Sequence, residues 1–172
     1  MEAMNIEKSS AVTKLAYSGM LVALSYAGSL LGLVIPGSLA FDSMPAFFGA
    51  MILGPFYGGA VGAVGHLLTA LINGFPLTLP LHLFIGIQMA AIVAIFGWIY
   101  QKRKVIAAGV IATALNGPVS AATSAVAAHF SGLPFSGWLL FNTLVIPLTI
   151  VSFLNVSLAI VLGAFLGKRL KR

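Results

Sequence analysis

An all-α integral membrane protein, a bundle of six transmembrane helices with a short second helix, is the fold class that three features of this sequence predict. The first is composition. Of 172 residues, 60% are hydrophobic and 7% charged, with a mean hydropathy of +1.08, whereas a soluble domain carries about 25% charged residues. The second is where charges are missing. No acidic or basic side chain falls in Leu15–Phe41, Ser43–Gln101 or Val105–Gly167, tracts of 27, 59 and 63 residues, and one crossing needs roughly 20 apolar residues. The third is that nine Lys and Arg outnumber three acids and punctuate the tract ends. They stand at Lys8 and Lys14, at Lys102, Arg103 and Lys104, and at Lys168, Arg169, Lys171 and Arg172. If every cluster is cytoplasmic, both termini are cytoplasmic and the crossings between neighbouring clusters are even in number.

Break signals then divide the tracts. The first helix follows a polar N-terminal segment that lacks a cleavage site, so it is expected to remain in the mature chain, and it ends before Pro36-Gly37-Ser38 and Asp42. The second, about Ser43 to Leu53, is too short to span ~30 Å at 1.5 Å per residue. It must be shielded by protein, continue irregularly or cross where water enters. Gly54-Pro55 opens the third helix, Phe56 to Asn73, in which Gly58, Gly59, Gly62 and Gly65 have the spacing of closely approaching backbones. Gly19, Ala23 and Ala27 share that spacing on the first helix. Such stripes predict internal packing first and docking of a partner subunit second. Asn73-Gly74-Phe75-Pro76 introduces the fourth helix, which runs to the basic cluster at Lys102. The fifth, about Val105 to His129, is expected to break or kink at Asn116-Gly117-Pro118, because Pro118 has no N–H to donate. An external turn at Ser131-Gly132-Leu133-Pro134 leads to the sixth, about Trp138 to Gly167. The organisation expected is one membrane domain over 1–172: a cytoplasmic segment 1–14, the bundle 15–167 and a basic tail 168–172.

Polar residues inside a membrane are expensive and therefore informative. His66, Thr69 and Asn73 share a face of the third helix, and Asn116, Ser120, Thr123 and Ser124 share one of the fifth. With His82 and His129 they fall toward the external end, where a pocket open to the exterior would lie. Asp42, His66, Asn73, His82, Asn116 and His129 are the candidate ligand contacts, offering hydrogen bonds to ring nitrogens or hydroxyls. Phe41, Phe47, Phe48, Trp138 and Phe141 are read as interfacial anchors by default, with ring stacking as the other role.

Enzyme chemistry finds little support. Asp42 is the only acid beyond position 7, there is no G-x-S-x-G elbow and no phosphate-binding G-x-x-x-x-G-K-[ST], and the three histidines lack H-E-x-x-H spacing. No cofactor or metal is expected, and the absence of cysteine removes thiol chemistry. The basic residues are topology anchors rather than a nucleic-acid surface. All of them after Lys14 fall at cytoplasmic ends, so the pocket has no fixed cation for a carboxylate or phosphate; a neutral or weakly cationic ligand fits better. A stand-alone facilitator or channel is the rival reading, with Gln88, Ser152 and Asn155 able to extend a polar path inward.

The run Leu15-Ala16-Tyr17-Ser18-Gly19-Met20-Leu21-Val22-Ala23-Leu24, the six helices and the segment from Pro45 to Gly58 resemble a substrate-binding S component of an energy-coupling-factor (ECF) vitamin transporter over nearly the whole chain. The resemblance implies a plasma-membrane subunit of a prokaryote that binds a vitamin from outside and docks on a transmembrane coupling subunit carrying two cytoplasmic ATPases. It also implies that Gly19, Ala23 and Ala27 form part of the docking face, with Gly19 standing where an alanine is common. Gly65-His66-Leu67-Leu68-Thr69-Ala70, Gly74-Phe75-Pro76-Leu77, Leu79-Pro80-Leu81-His82 and Asn116-Gly117-Pro118 resemble members proposed to take up α-ribazole, a neutral nucleoside precursor of cobalamin. Pyridoxine and a hydroxymethylpyrimidine remain open as neutral alternatives.

Overall fold

The computed structural model describes residues 10–34 and 41–169; the break at Pro36-Gly37-Ser38, the N-terminal Lys8 and the terminal Lys171 and Arg172 lie outside the described residues. All regular structure among those residues is helical. The elements are α1 (Ala11–Val34), α2 (Met44–Ile52), α3 (Pro55–Ile72), α4 (Leu79–Gln101), α5 (Val105–Ala114), α6 (Ser120–Phe130) and α7 (Gly137–Arg169). A π turn at Leu115–Val119 joins α5 to α6, so these form one 26-residue segment and the bundle has six helical segments. The segments α3, α4, α5–α6 and α7 are each long and apolar enough to cross a membrane.

Local chemistry sets the boundaries. Gly54 turns between α2 and α3 with φ of 100°, a conformation open to glycine, and Pro55 then starts α3 where its missing N–H costs nothing. Of the break or kink that the sequence predicts at Pro118, a break of the fifth segment does not occur. The helix widens by a π turn around it and continues.

The short α2 is wrapped by protein. Ala46, Phe47 and Ala50 are fully buried, and Phe47 meets Phe96 of α4 edge-on at 5.1 Å. Of the three ways a helix this short can lie in a membrane, enclosure is the one adopted.

The glycines of α3 let three helices close on it. A Cβ on Gly58 would lie 2.5 Å from the Ala50 backbone of α2, one on Gly59 2.8 Å from the Ala90 carbonyl of α4, and one on Gly65 2.9 Å from Ser25 of α1. On α1 the reading of the small residues is corrected. Its bundle-facing side carries Ser18, Leu21, Ser25 and Ser29, whereas Gly19, Ala23 and Ala27 are exposed. Serine packs as closely as alanine while returning its hydroxyl to the helix, as Ser29 does to the Tyr26 carbonyl at 2.7 Å.

The described basic residues gather at one end. Lys14 lies 5.4 Å over the Tyr57 ring in the first turn of α3, and Lys102, Arg103 and Lys104 connect α4 to α5 at that end. Gly58→Ala should therefore lower the thermal midpoint of the purified chain in detergent, at a cost of about 1–3 kcal/mol of overpacking. Gly19→Ala, with nothing within 4 Å of the new Cβ, should leave the midpoint unchanged. Equal effects of the two substitutions would contradict this packing.

Candidate functional site

Toward the end of the bundle away from the basic residues, the helices enclose a cavity of about 260 Å³. One wall is polar and begins with Ser29 of α1 and Asp42 and Ser43 of the α1–α2 connection. Second-half residues of α3, namely His66, Thr69 and Asn73, continue it, and His82 in the first turn of α4 closes it. Asn116 of the π turn and Ser120 and Ser124 of α6 supply the facing polar groups. The apolar lining is made by Leu77, by Ile85 and Met89 of α4 and by Leu144, Leu148 and Val151 of α7. A pocket with apolar lining and a few converging polar groups has the make-up of a small-molecule site.

Several of these polar groups are held by neighbours. Nε2 of His66 and Nδ1 of His82 stand 3.2 Å apart. Thr69 Oγ1 donates to the Gly65 carbonyl at 3.0 Å and Asn73 Nδ2 to the Thr69 carbonyl at 2.8 Å. Asn116 Nδ2 donates to Ser152 Oγ of α7 at 2.9 Å, which leaves Asn116 Oδ1 as an acceptor. Asp42 lies outside the helical spans, and burial pushes its carboxyl up to about 6. Hydrogen bonds from the Asp42 and Ser43 backbone oppose that rise, as does the Thr69 hydroxyl when its single proton turns from Gly65 to the carboxyl. Ser120 Oγ is buried without a hydrogen-bond partner. In a cavity wall, such a hydroxyl is available to a ligand.

The N-terminus of α2 opens beside Asp42, yet it presents no free donor. Met44 N–H goes to Asn155 Oδ1 of α7 at 2.8 Å, Pro45 has no N–H, and the Ala46 and Phe47 N–H groups bond to the Ser43 carbonyl at 3.1 and 3.2 Å. The positive end of the helix is thus consumed within the protein instead of being offered to an anion. No Lys or Arg lines the cavity.

Five of the six candidate contacts read from the sequence, Asp42, His66, Asn73, His82 and Asn116, meet in this one cavity. His129 does not; it is exposed at the end of α6 with its ring 5.9 Å from that of Phe130. Nine residues separate it from Ser120, which turns it to roughly the opposite face of a 3.6-residue helix. The aromatic candidates also stand elsewhere. Phe47 is core, and Trp138 stacks on Phe141 at 5.3 Å with 74% of its surface exposed. Ser29 and Ser43 were not among the candidates. The signal that points to Ser29 is its place in the Ser18, Ser25, Ser29 stripe of α1. The apolar lining carries no such signal, because Ile, Leu, Met and Val read alike whether they face a ligand, a neighbour or lipid.

The residues able to extend a polar path inward are tied instead to neighbouring helices. Gln88 Nε2 donates to Thr123 Oγ1 of α6 at 2.7 Å, Ser152 holds Asn116, and Asn155 holds the start of α2.

Comparison with curated proteins and with solved structures found no match. A family model described as "ECF transporter, substrate-specific component" matches residues 13–166, nearly the whole described bundle. The chain therefore belongs to the substrate-specific components of ECF transporters, multi-pass membrane subunits that bind substrate within a transport complex and are not enzymes.

Proposed function

We propose that the chain is the binding subunit for uptake of a neutral vitamin or vitamin precursor, α-ribazole being the best candidate, and that the cavity at Asp42, His66 and Asn116 holds it. The observation that carries this reading is the chemistry of the cavity: one carboxyl, two imidazoles, two amides and hydroxyls among hydrocarbon side chains, and, among the described residues, neither a cationic side chain nor an open helix N-terminus for an anion. The basic residues at the other end favour the cytoplasm, so ligand enters from outside a prokaryotic plasma membrane. Release is driven through a transmembrane coupling subunit and two cytoplasmic ATPases. The exposed Gly19, Ala23 and Ala27 surface of α1 is the docking face for that coupling subunit.

Equilibrium binding to the purified chain in detergent tests the ligand. α-Ribazole should bind one to one, and a carboxylate vitamin such as biotin should not. Ser120→Ala, His66→Ala and Asn116→Ala should each weaken binding about tenfold, the effect of one buried hydrogen bond, while the thermal midpoint of Ser120→Ala stays unchanged. Unaltered affinity in all three variants would place the site elsewhere. Docking is tested separately: Ala23→Arg should abolish ATP-dependent uptake into vesicles containing the coupling module while ligand affinity in detergent is kept. Full uptake by that variant would remove α1 from the interface.

A further inference from the structure

The contact between His66 and His82 has a direction, and a backbone group sets it. When two imidazole nitrogens stand 3.2 Å apart, one carries the shared proton and the other accepts it. The other nitrogen of His82, Nε2, faces the backbone N–H of Leu77 at 3.5 Å. That bond is long, and its worth lies in what it excludes: a proton on Nε2 would set two N–H groups against each other. His82 therefore carries its proton on Nδ1 and donates to Nε2 of His66. His66, accepting at Nε2, carries its own proton on Nδ1. We propose that Leu77, His82 and His66 form a relay that locks both imidazoles in the Nδ1–H tautomer, and that His66 Nδ1–H is the cavity's fixed donor to an acceptor atom of an uncharged ligand.

The other polar groups narrow the class of that ligand. Asp42 accepts, Asn116 offers Oδ1 as an acceptor and its second Nδ2–H as a donor, and the Ser120 hydroxyl can do either. A matching compound carries an acceptor for His66, such as a pyridine-type ring nitrogen or a carbonyl oxygen. It carries O–H or N–H donors for Asp42 and Asn116, on a body apolar enough for Met89 and Leu148. A neutral, hydroxylated nitrogen heterocycle meets all three demands. A carboxylate fails, since it would set an acceptor and a second negative charge against Asp42. In this scheme His82 is a positioning residue that acts through His66. The ligand half of the proposal rests on the function proposed above, whereas the tautomers do not.

The test is nitrogen-15 NMR of the histidine-labelled full chain in lipid nanodiscs without ligand, with His66 and His82 assigned from His66→Gln and His82→Asn. Both should show a protonated Nδ1 and a bare Nε2. In His82→Leu the His66 signals should shift toward the Nε2–H form, while His82→Asn, whose amide nitrogen can take the place of Nδ1, should hold them. A proton on His66 Nε2 in the unaltered chain, or no shift in His82→Leu, overturns the relay. With α-ribazole as probe, His82→Leu should lose about tenfold in affinity and His82→Asn should recover most of it. Unchanged affinity alongside a shifted tautomer overturns the donor role. Failure of α-ribazole to bind the unaltered chain counts against the function proposed above and leaves the spectra to decide the relay.

Discussion

A nine-residue helix enclosed in a membrane bundle has first-turn N–H groups that no water reaches and that its own ladder cannot satisfy. The start of α2 meets this requirement within the protein. Pro45 removes one donor, the Ser43 carbonyl takes two, and Asn155 reaches from α7 for the last. The bond to Asn155 joins residues 111 positions apart in the chain and fixes the α1–α2 connection against the far side of the bundle. Asp42 and Ser43 owe their place in the cavity to it. One turn earlier on α7, Ser152 does the same for the π turn through Asn116. The two ties hold the α1–α2 connection and the π turn, both part of the cavity lining, from one helix.

Close packing around α3 is the complementary condition. With hydrogen at positions 58, 59 and 65, α2, α4 and α1 approach to backbone contact, and dispersion replaces the hydrophobic drive that a lipid solvent does not supply. Gly58 and Gly59 lie in the half of α3 toward the basic end, and beyond Gly65 the helix carries His66 and Thr69 and is capped by Asn73. Helices that are in contact at one end and part around side chains at the other leave a cavity. The same chain thus encodes a rigid base and a pocket by a change from glycine to polar residues along one helix.

Much of this was legible in the sequence, for physical reasons that also mark where legibility stopped. Charge-free tracts with Gly-Pro and Asn-Gly breaks define the helical segments, because the cost of charge and of unpaired backbone in hydrocarbon is large and local. The polar faces of α3 and of the fifth segment led to His66, Asn73 and Asn116. His129 was grouped with them by depth, and helical rotation turns it away. The π turn at Pro118 was read as a break or kink, since the sequence shows the missing N–H but not the neighbouring Thr149 and Ser152 against which Gly117 and Asn116 pack. Which face of α1 is buried was misread for a related reason. Serine and alanine stripes are equally compact, and it is tertiary contacts such as Leu21 with Gly49 and Ser25 with Gly65 that distinguish them.

In the function proposed above, the ligand enters the cavity from the end away from the basic residues. The chain contains no cysteine, so a single introduced thiol reports without background. Asn73, exposed and part of the cavity wall, is the place for it. In cells carrying Asn73→Cys, a membrane-impermeant thiol reagent added outside should label the chain, and saturating α-ribazole should block the labelling. Labelling that requires access from the cytoplasm, or that proceeds at the same rate with bound ligand, would contradict the account.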